Sequence, residues 1–241
     1  MQRLPEGLKE KLCTWYDAGH RELPWRQDRE PYHVWLSEIM LQQTRVEAVK
    51  GYYARFLTEL PTIAALADCP PDRLTKLWEG LGYYSRVRNL QKAAKIIMEE
   101  SGGVFPKTYD AVRALPGIGD YTAGAICSIC FELPTPAVDG NVLRVLSRVM
   151  EDGASITAQK TKNACREALV PVYENGPRGT LTQALMELGA MVCAPNGAPH
   201  CDVCPAAAFC QSREGERWRT IPVKEAKKPR RAEQKTVFLR S

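Results

Sequence analysis

The stretch LPGIGDYT at residues 115–122 joins two runs of helical periodicity and decides how the fold is interpreted. One run covers residues 109–115 and ends at a proline, and the other covers residues 122–130. Between them lie Gly117 and Gly119, which have no Cβ atom and therefore tolerate a positive φ or a close backbone neighbour. The free N–H groups at the start of the second helix could hold an anion. An ordinary corner between two helices explains the stretch, taken alone, equally well.

Helical periodicity recurs along most of the chain, and proline or glycine separates the runs. The predicted helices cover residues 4–18, 32–50, 52–60, 62–67, 70–80, 86–101, 108–115, 122–132, 141–150, 158–170 and 179–193. The alternating pattern of a strand occurs only at residues 236–239. We therefore predict an all-α fold.

The composition is that of an ordinary soluble globular protein, with 241 residues, 44% hydrophobic and 25% charged. The chain contains neither an apolar run long enough to cross a membrane nor an apolar secretory segment at its start. We expect a cytoplasmic monomer. The net charge of +5 is concentrated in residues 213–241, which carry ten Lys or Arg and four Glu. A basic tail suits a polyanionic partner such as nucleic acid, although a tail that only improves solubility explains the charge as well.

Glu38 lies on the predicted helix 32–50 among mostly apolar neighbours, because Val34, Trp35 and Leu41 are three or four residues away. Such surroundings disfavour the charged carboxylate and raise its pKa. A carboxyl group that keeps its proton near neutral pH can act as a general acid. The alternative is a glutamate at the polar edge of the helix that pairs with Arg45.

Asp139 comes just before the predicted helix 141–150, so its environment should be the opposite one. A carboxylate at a helix start accepts N–H groups and faces the positive end of the helix dipole, which keeps it ionised. The alternative is a purely structural N-cap, and the two roles are compatible. One carboxyl group held neutral and one held charged is the arrangement that cleavage of a glycosidic bond needs.

Four of the nine cysteines form a compact motif that indicates a metal centre, with the spacing C-x7-C-x2-C-x5-C over Cys193, Cys201, Cys204 and Cys210. A zinc ribbon has two C-x-x-C pairs, and this segment has one. Four thiolates in a single short loop suit a cubane iron–sulfur cluster. Cys127 and Cys130 lie three residues apart in an apolar run and are interpreted as core residues.

Three motifs together resemble a known family. Residues 115–122, with Asp139 eighteen residues beyond Tyr121, resemble the hairpin of the helix-hairpin-helix DNA glycosylase superfamily. Residues 38–45, EIMLQQTR, resemble the matching helix of adenine DNA glycosylases of the MutY type. The cysteine motif is similar to the [4Fe–4S] motif of these enzymes, although its first gap has seven residues where six are usual. The resemblance covers approximately residues 10–225.

The resemblance implies two helical domains that flank a DNA-binding cleft. Residues 28–135 would form a six-helix domain with the hairpin, and residues 1–27 plus 136–225 would form the iron–sulfur cluster domain. Residues 226–241 would be a basic linker or tail. Full-length relatives continue into a further domain that recognises 8-oxoguanine; we expect this chain to lack it, which puts a preference for the oxidised lesion in doubt.

The implied activity is monofunctional excision of adenine opposite 8-oxoguanine or guanine in double-stranded DNA, as part of base excision repair. By this resemblance Glu38 protonates the base, Asp139 stabilises the sugar cation, and Tyr121 and Asn141 orient these groups. Bifunctional relatives have a lysine nucleophile where this chain has Tyr121, so we expect no efficient strand nicking.

The resemblance also names DNA-contacting residues. Gln43 and Tyr83 would fill the gap left by the extruded base, although tyrosines that pack between helices explain the second equally well. The expected DNA-contacting set is Trp25, Arg26, Gln43, Thr44, Leu81, Tyr83, Arg86, Gly117, Gly119 and Gln183. Two alternative functions stay open: a pyrimidine-releasing glycosylase for T·G mismatches in the same superfamily, and a non-catalytic iron–sulfur protein that binds DNA.

Overall fold

The computed structural model describes residues 3–225, and the regular secondary structure in that part of the chain is entirely helical, as predicted. The eleven α-helices described are α1 (Leu8–Gly19), α2 (Pro31–Leu41), α3 (Val46–Glu59), α4 (Ile63–Asp68), α5 (Pro71–Leu77), α6 (Ser85–Ser101), α7 (Tyr109–Ala114), α8 (Asp120–Phe131), α9 (Gly140–Val149), α10 (Gln159–Tyr173) and α11 (Arg178–Glu187). The predicted strand at residues 236–239 and the basic tail 226–241 lie outside the described residues.

Shorter helical segments complete the secondary structure. A π-helix, Leu188–Val192, continues α11, and 3₁₀-helices cover Pro24–Arg26, Ala207–Phe209 and Glu214–Arg219. No helix among residues 3–225 is long and apolar enough to cross a membrane.

The apolar side chains form two separate cores, because two groups of helices bury their hydrophobic faces independently. The first core joins residues of α2 to α8 and includes the fully buried Trp35 and Trp78. The second core joins α1 to α9, α10 and α11, and includes the fully buried Tyr173. Helix α11 also packs against α8, so the two groups are in contact. The domain boundaries inferred from the sequence stay a prediction.

The predicted continuous helix over residues 32–50 is wrong. The chain leaves α2 after Leu41, and α3 begins only at Val46. Gln43 has a φ of 58° in the intervening loop, a conformation that non-glycine residues rarely adopt. The physical reason is the Arg86 side chain, which donates hydrogen bonds to the carbonyl oxygens of Ile39, Met40 and Gln42 and so ends the helix.

The corner between α7 and α8 uses its two glycines differently. Gly117 has a φ of 81°, and a Cβ atom there would lie 2.9 Å from the Cβ of Asn89, so only glycine fits. Gly119 is extended and has open space where a Cβ would be, so the fold itself does not require glycine at that position. Arg113 braces the corner: Nε lies 2.6 Å from Asp120 Oδ1, and Nη1 donates to the carbonyl oxygen of Ile118.

Candidate active site

A cavity of about 370 Å³ is lined by side chains from both helix groups, and it gathers most of the residues singled out in the sequence. Helices α2, α8, α9 and α11 and the 3₁₀-helix Pro24–Arg26 contribute to its walls. The predicted site residues that line this cavity are Trp25, Arg26, Glu38, Thr44, Tyr121, Asp139, Asn141 and Gln183. Residues separated by up to 158 positions in the chain therefore meet at one place.

Glu38 lies in the last two turns of α2 and is buried. Burial raises the pKa of its carboxyl group from 4.5 to about 7; interaction with Tyr121 opposes this rise, and the nearby Asp139 adds to it. Arg26 lowers the pKa slightly, and no ion pair with Arg45 occurs in the described structure. The first interpretation of Glu38, as a desolvated acid and not as the surface partner of Arg45, fits this geometry.

Asp139 is the N-cap of α9, as its position in the sequence predicts. Its Oδ1 accepts the N–H of Val142 at 2.8 Å, and its Oδ2 accepts Nδ2 of Asn141 at 2.8 Å. Burial nevertheless raises the pKa of Asp139 above its ordinary value, because these hydrogen bonds offset only part of the desolvation. The hydrogen bonds at the helix start favour the ionised form, as the sequence predicts, and burial opposes them.

Tyr121 belongs to the first turn of α8 and faces both carboxyl groups. Burial, together with the charges of Glu38 and Asp139, raises the pKa of its hydroxyl well above 10. The hydroxyl lies 3.8 Å from the Sδ atom of Met186. Because its pKa is raised, the Tyr121 hydroxyl is a neutral hydrogen-bonding group at physiological pH. No lysine is among the residues that line the cavity in the part of the chain described here.

Two arginines that line the cavity, Arg21 and Arg26, are held by a charged group that the sequence analysis missed. Glu187 of α11 is buried and accepts hydrogen bonds from Arg21 at 2.6 and 2.7 Å and from Arg26 at 2.9 Å. Burial alone would raise its pKa, but these guanidinium groups lower it to about 2. Glu187 follows Gln183 by one helical turn and therefore lies on the same face of α11. That spacing is the sequence signal that could have identified it.

Gln183, which lines the cavity, is held in place by Tyr16, whose hydroxyl donates to its Oε1 at 2.8 Å. Trp25 is buried beside it and packs edge-to-face on Tyr53. Both side chains therefore have fixed orientations, which is what a selective pocket requires.

Six predicted DNA-contacting residues lie outside the cavity: Gly117 and Gly119 at the corner before α8, and four others in or beside two loops. Gln43 is exposed, and Tyr83 is 61% exposed with a φ of 48°. Leu81 and Arg86 are buried instead. Leu81 packs in the first core, and the Arg86 guanidinium is occupied by backbone carbonyl oxygens. Neither side chain is exposed in this structure, and the expected contact of the two with DNA stays a prediction.

The four cysteines of the C-x7-C-x2-C-x5-C motif line one small, mostly apolar cavity. Arg148 Nη1 lies 3.3 Å from Cys193 Sγ, and Ser212, which also lines the cavity, has a buried Oγ with no hydrogen-bond partner among the described residues. No group of three or more His, Cys, Asp or Glu side chains within residues 3–225 is arranged to hold a single metal ion. Four cysteines that line one cavity are a donor set of the kind that holds an iron–sulfur cluster. Cys127 is fully buried in the first core and Cys130 packs against it, as predicted.

Comparisons with known proteins identify the family of the chain. Residues 36–171 match the model of the HhH-GPD superfamily base excision DNA repair protein. The chain is 43% identical over 216 residues to an adenine DNA glycosylase of Rattus norvegicus, a match that covers 86% of this chain and 42% of that protein. It is 39% identical to an adenine DNA glycosylase of Buchnera aphidicola, over 90% of this chain and 61% of that protein.

Solved structures match over most of their length. A thermostable thymine-DNA glycosylase superposes with a TM-score of 0.75 at 26% identity, over 84% of this chain and 93% of that one. Endonuclease III in a non-covalent DNA complex gives a TM-score of 0.70 at 22% identity, over 87% and 94%, and shares the fold. The chain spans about two fifths of the length of the mammalian relatives it matches. With its matching helices, corner and family model, the chain belongs to the HhH-GPD superfamily of base excision DNA repair proteins.

Proposed function

We propose that this chain is a monofunctional DNA glycosylase that removes adenine opposite guanine or 8-oxoguanine in double-stranded DNA. The observation that carries the proposal is that Glu38, Tyr121 and Asp139 share one cavity, with a glutamate whose pKa is raised to about 7. The adenine DNA glycosylases to which the chain is similar support the choice of base.

The cavity suits a single extruded base. A base inside the duplex cannot reach these carboxyl groups, so it must leave the stack and enter the protein. A volume of about 370 Å³ lies within the range of small-ligand sites. Trp25, Arg26, Thr44 and Gln183 would contact the base there.

The two carboxyl groups divide the chemistry. Glu38 donates its proton to a ring nitrogen of adenine, which turns the base into a better leaving group, and its carboxylate then accepts a proton from the attacking water. Asp139 stabilises the cationic, oxocarbenium-like sugar as the glycosidic bond breaks. Tyr121 and Asn141 orient these two groups, since each lies beside one of them.

The same cavity argues for base release without strand cleavage. A glycosylase that also nicks the strand forms a Schiff base between an amine and the sugar. Tyr121 has no amine, and no lysine lines the cavity among residues 3–225. Borohydride trapping of an enzyme–DNA adduct should therefore fail, and efficient trapping would contradict this part of the proposal.

The remaining DNA contacts follow from exposed groups. Gln43 and Tyr83 would fill the gap in the duplex, and the backbone N–H groups around Gly117 and Gly119 would hold a phosphate at the start of α8. The enzyme would act as a monomer on duplex DNA.

We also propose that Cys193, Cys201, Cys204 and Cys210 hold a [4Fe–4S] cluster. Their shared cavity and the guanidinium of Arg148 beside Cys193 suit anionic thiolates bound to iron. The cluster would hold the polypeptide between α11 and residue 213 in shape.

Release of thymine from a T·G mismatch is the second candidate, because the thymine-DNA glycosylase structure superposes well on this chain. Incubation with A·G, A·8-oxoguanine and T·G duplexes, followed by alkali, separates the candidates. We expect cleavage only at adenine. Cleavage at thymine would favour the second candidate, and cleavage at neither base would favour a protein that binds DNA without catalysis. The ratio of the two adenine rates measures the preference for the oxidised lesion.

A further inference from the structure

A single buried guanidinium, that of Arg86, connects two separate loops, one of which supplies Gln42 and Thr44 to the cavity lining. Its Nη1 donates to the carbonyl oxygens of Ile39, Met40 and Gln42 at 3.0, 3.0 and 2.6 Å. Its Nη2 donates to the carbonyl oxygens of Leu81 and Gly82 at 2.9 and 3.2 Å. One planar group therefore donates hydrogen bonds to carbonyl oxygens at the end of α2 and in the loop before α6 at the same time.

Each loop presents one exposed side chain in an unfavourable backbone conformation. Gln43 follows Gln42, whose carbonyl oxygen Arg86 binds, and has a φ of 58°. Tyr83 follows Gly82, whose carbonyl oxygen Arg86 also binds, and has a φ of 48°. Non-glycine residues hold a positive φ only when the surrounding structure enforces it. The guanidinium also stacks near the Tyr83 ring, at 5.6 Å from its centre. Arg86 is the group that both conformations have in common.

The surroundings of Arg86 show that this arrangement depends on arginine chemistry. Burial lowers the pKa of the guanidinium, and no carboxylate contributes to its environment among the described residues. Carbonyl oxygens, including those at the negative end of α2, replace the water that the buried guanidinium has lost. A lysine ammonium carries the same charge but lacks the planar fork that reaches two loops at once.

We propose that Arg86 is a positioning residue that fixes Gln43 and Tyr83 at a set separation and joins both to the end of the helix that carries Glu38. The step it controls is extrusion of the base, because the two side chains can fill the gap in the duplex only when they project together. This inference rests on the proposed function and adds to it a residue that touches neither base nor sugar.

The test compares Arg86→Lys with the matched control Arg88→Lys, since Arg88 is exposed two residues later on the same helix. Hydrogen exchange of the free proteins is measured first. We expect exchange at the Thr44 and Leu81 amides, which bond to Leu41 and Trp78, to rise at least tenfold in Arg86→Lys only. Amides of α9 and α10 should exchange at the wild-type rate. A uniform rise over the whole chain, or a rise in one loop only, would overturn the proposal.

The second measurement follows base extrusion, with 2-aminopurine in place of the target adenine opposite guanine. We expect its fluorescence increase to be at least tenfold slower in Arg86→Lys and unchanged in Arg88→Lys. Combining Arg86→Lys with Tyr83→Ala should slow extrusion no more than the more severe single variant does, because both changes remove the same function. Wild-type extrusion by Arg86→Lys, or multiplied losses in the double variant, would refute it. If the wild-type protein extrudes the base but releases no adenine, the proposed function is wrong, and the fluorescence result still decides the role of Arg86.

Discussion

Glu38 and Asp139 are both shifted toward their neutral forms, so what separates them is the number of hydrogen bonds to the charged state. The ionised Asp139 accepts one backbone N–H and the amide of Asn141. Glu38 has mainly Tyr121 to oppose its burial. Asp139 therefore has more support for its ionised form, whereas Glu38 keeps a proton near neutral pH that it can donate to the base.

The rate of adenine release should fall as the pH rises through about 7. Glu38 must be protonated to donate, and its pKa is raised to about 7, so the active fraction decreases about tenfold per pH unit above that value. Single-turnover rates between pH 5.5 and 9 measure this limb. In Glu38→Gln, release should be lost while binding to an A·G duplex persists. The exposed Glu47→Gln is the control and should keep the wild-type profile; a rate that stays constant above pH 7 would exclude Glu38 as the acid.

The same carboxyl group should make the folded state less stable at neutral pH than in mild acid. Its pKa is near 4.5 in the unfolded chain and about 7 in the folded one, so the unfolded chain releases its proton first as the pH rises. The contribution of Glu38 to the free energy of unfolding is fully present below about pH 4.5 and is lost by about pH 7. The loss amounts to up to about 3 kcal/mol. Glu38→Gln should therefore raise Tm at pH 8 and leave it unchanged at pH 4. Equal Tm differences at both pH values would point to a packing effect.

At the scale of elements, the π-helix Leu188–Val192 lets α11 approach the start of α9. A Cβ atom on Gly189 would lie 2.5 Å from the Cβ of Asn141 and 3.0 Å from its Cα, a clash with backbone as well as side chain. The close approach also places the Gly189 carbonyl oxygen 2.6 Å from Nη2 of Arg144. The position of Asn141, and of Asp139 bonded to it, thus depends on a glycine in another element.

Gly189→Ala should cost about 1–3 kcal/mol of stability, because the added methyl group must displace Asn141 or the π-helix. It should also slow adenine release more than it weakens DNA binding, since the displaced group holds Asp139. Urea unfolding and single-turnover rates provide the two readings. Gly153→Ala is the matched control, because a Cβ there meets nothing within 4 Å. If both variants behave alike, the close approach has no functional consequence.

Much of the helical pattern could be predicted from the sequence, because periodicity and the prolines between runs are local properties. The break after Leu41 could not, since its cause is Arg86, which lies more than forty residues away. The acids and Gln183 could be placed at one site by resemblance. The direction of the Asp139 pKa could not, because the depth of the cavity depends on how both helix groups close over it.

At the scale of the whole molecule, the cysteine motif is connected to the candidate active site by a chain of hydrogen bonds. Nε of Arg144 donates to the carbonyl oxygen of Cys193 at 2.9 Å, and its Nη2 donates to Oδ1 of Asn141 at 2.8 Å. Asn141 in turn donates to Asp139. Arg148, one turn later on α9, reaches Cys193 Sγ and the carbonyl oxygen of Ile221. Helix α9 therefore has the cysteine loop on one side and the cavity on the other.

Because of this connection, we predict that loss of the proposed cluster changes the position of Asp139, although the cluster does not contact that residue. Cys204→Ser should reduce the iron bound per chain and lower Tm, because α9 then loses its support through Arg144 and Arg148. At 25 °C, adenine release should fall by more than the unfolded fraction read from the melting curve accounts for. Helices α2 to α8 should retain their helical signal, because they have their own core. Iron analysis, circular dichroism and single-turnover rates measure the three effects. Cys130→Ala, outside the motif, should keep its iron. If Cys204→Ser keeps wild-type release after losing its iron, α9 holds Asp139 without help from the cysteine loop.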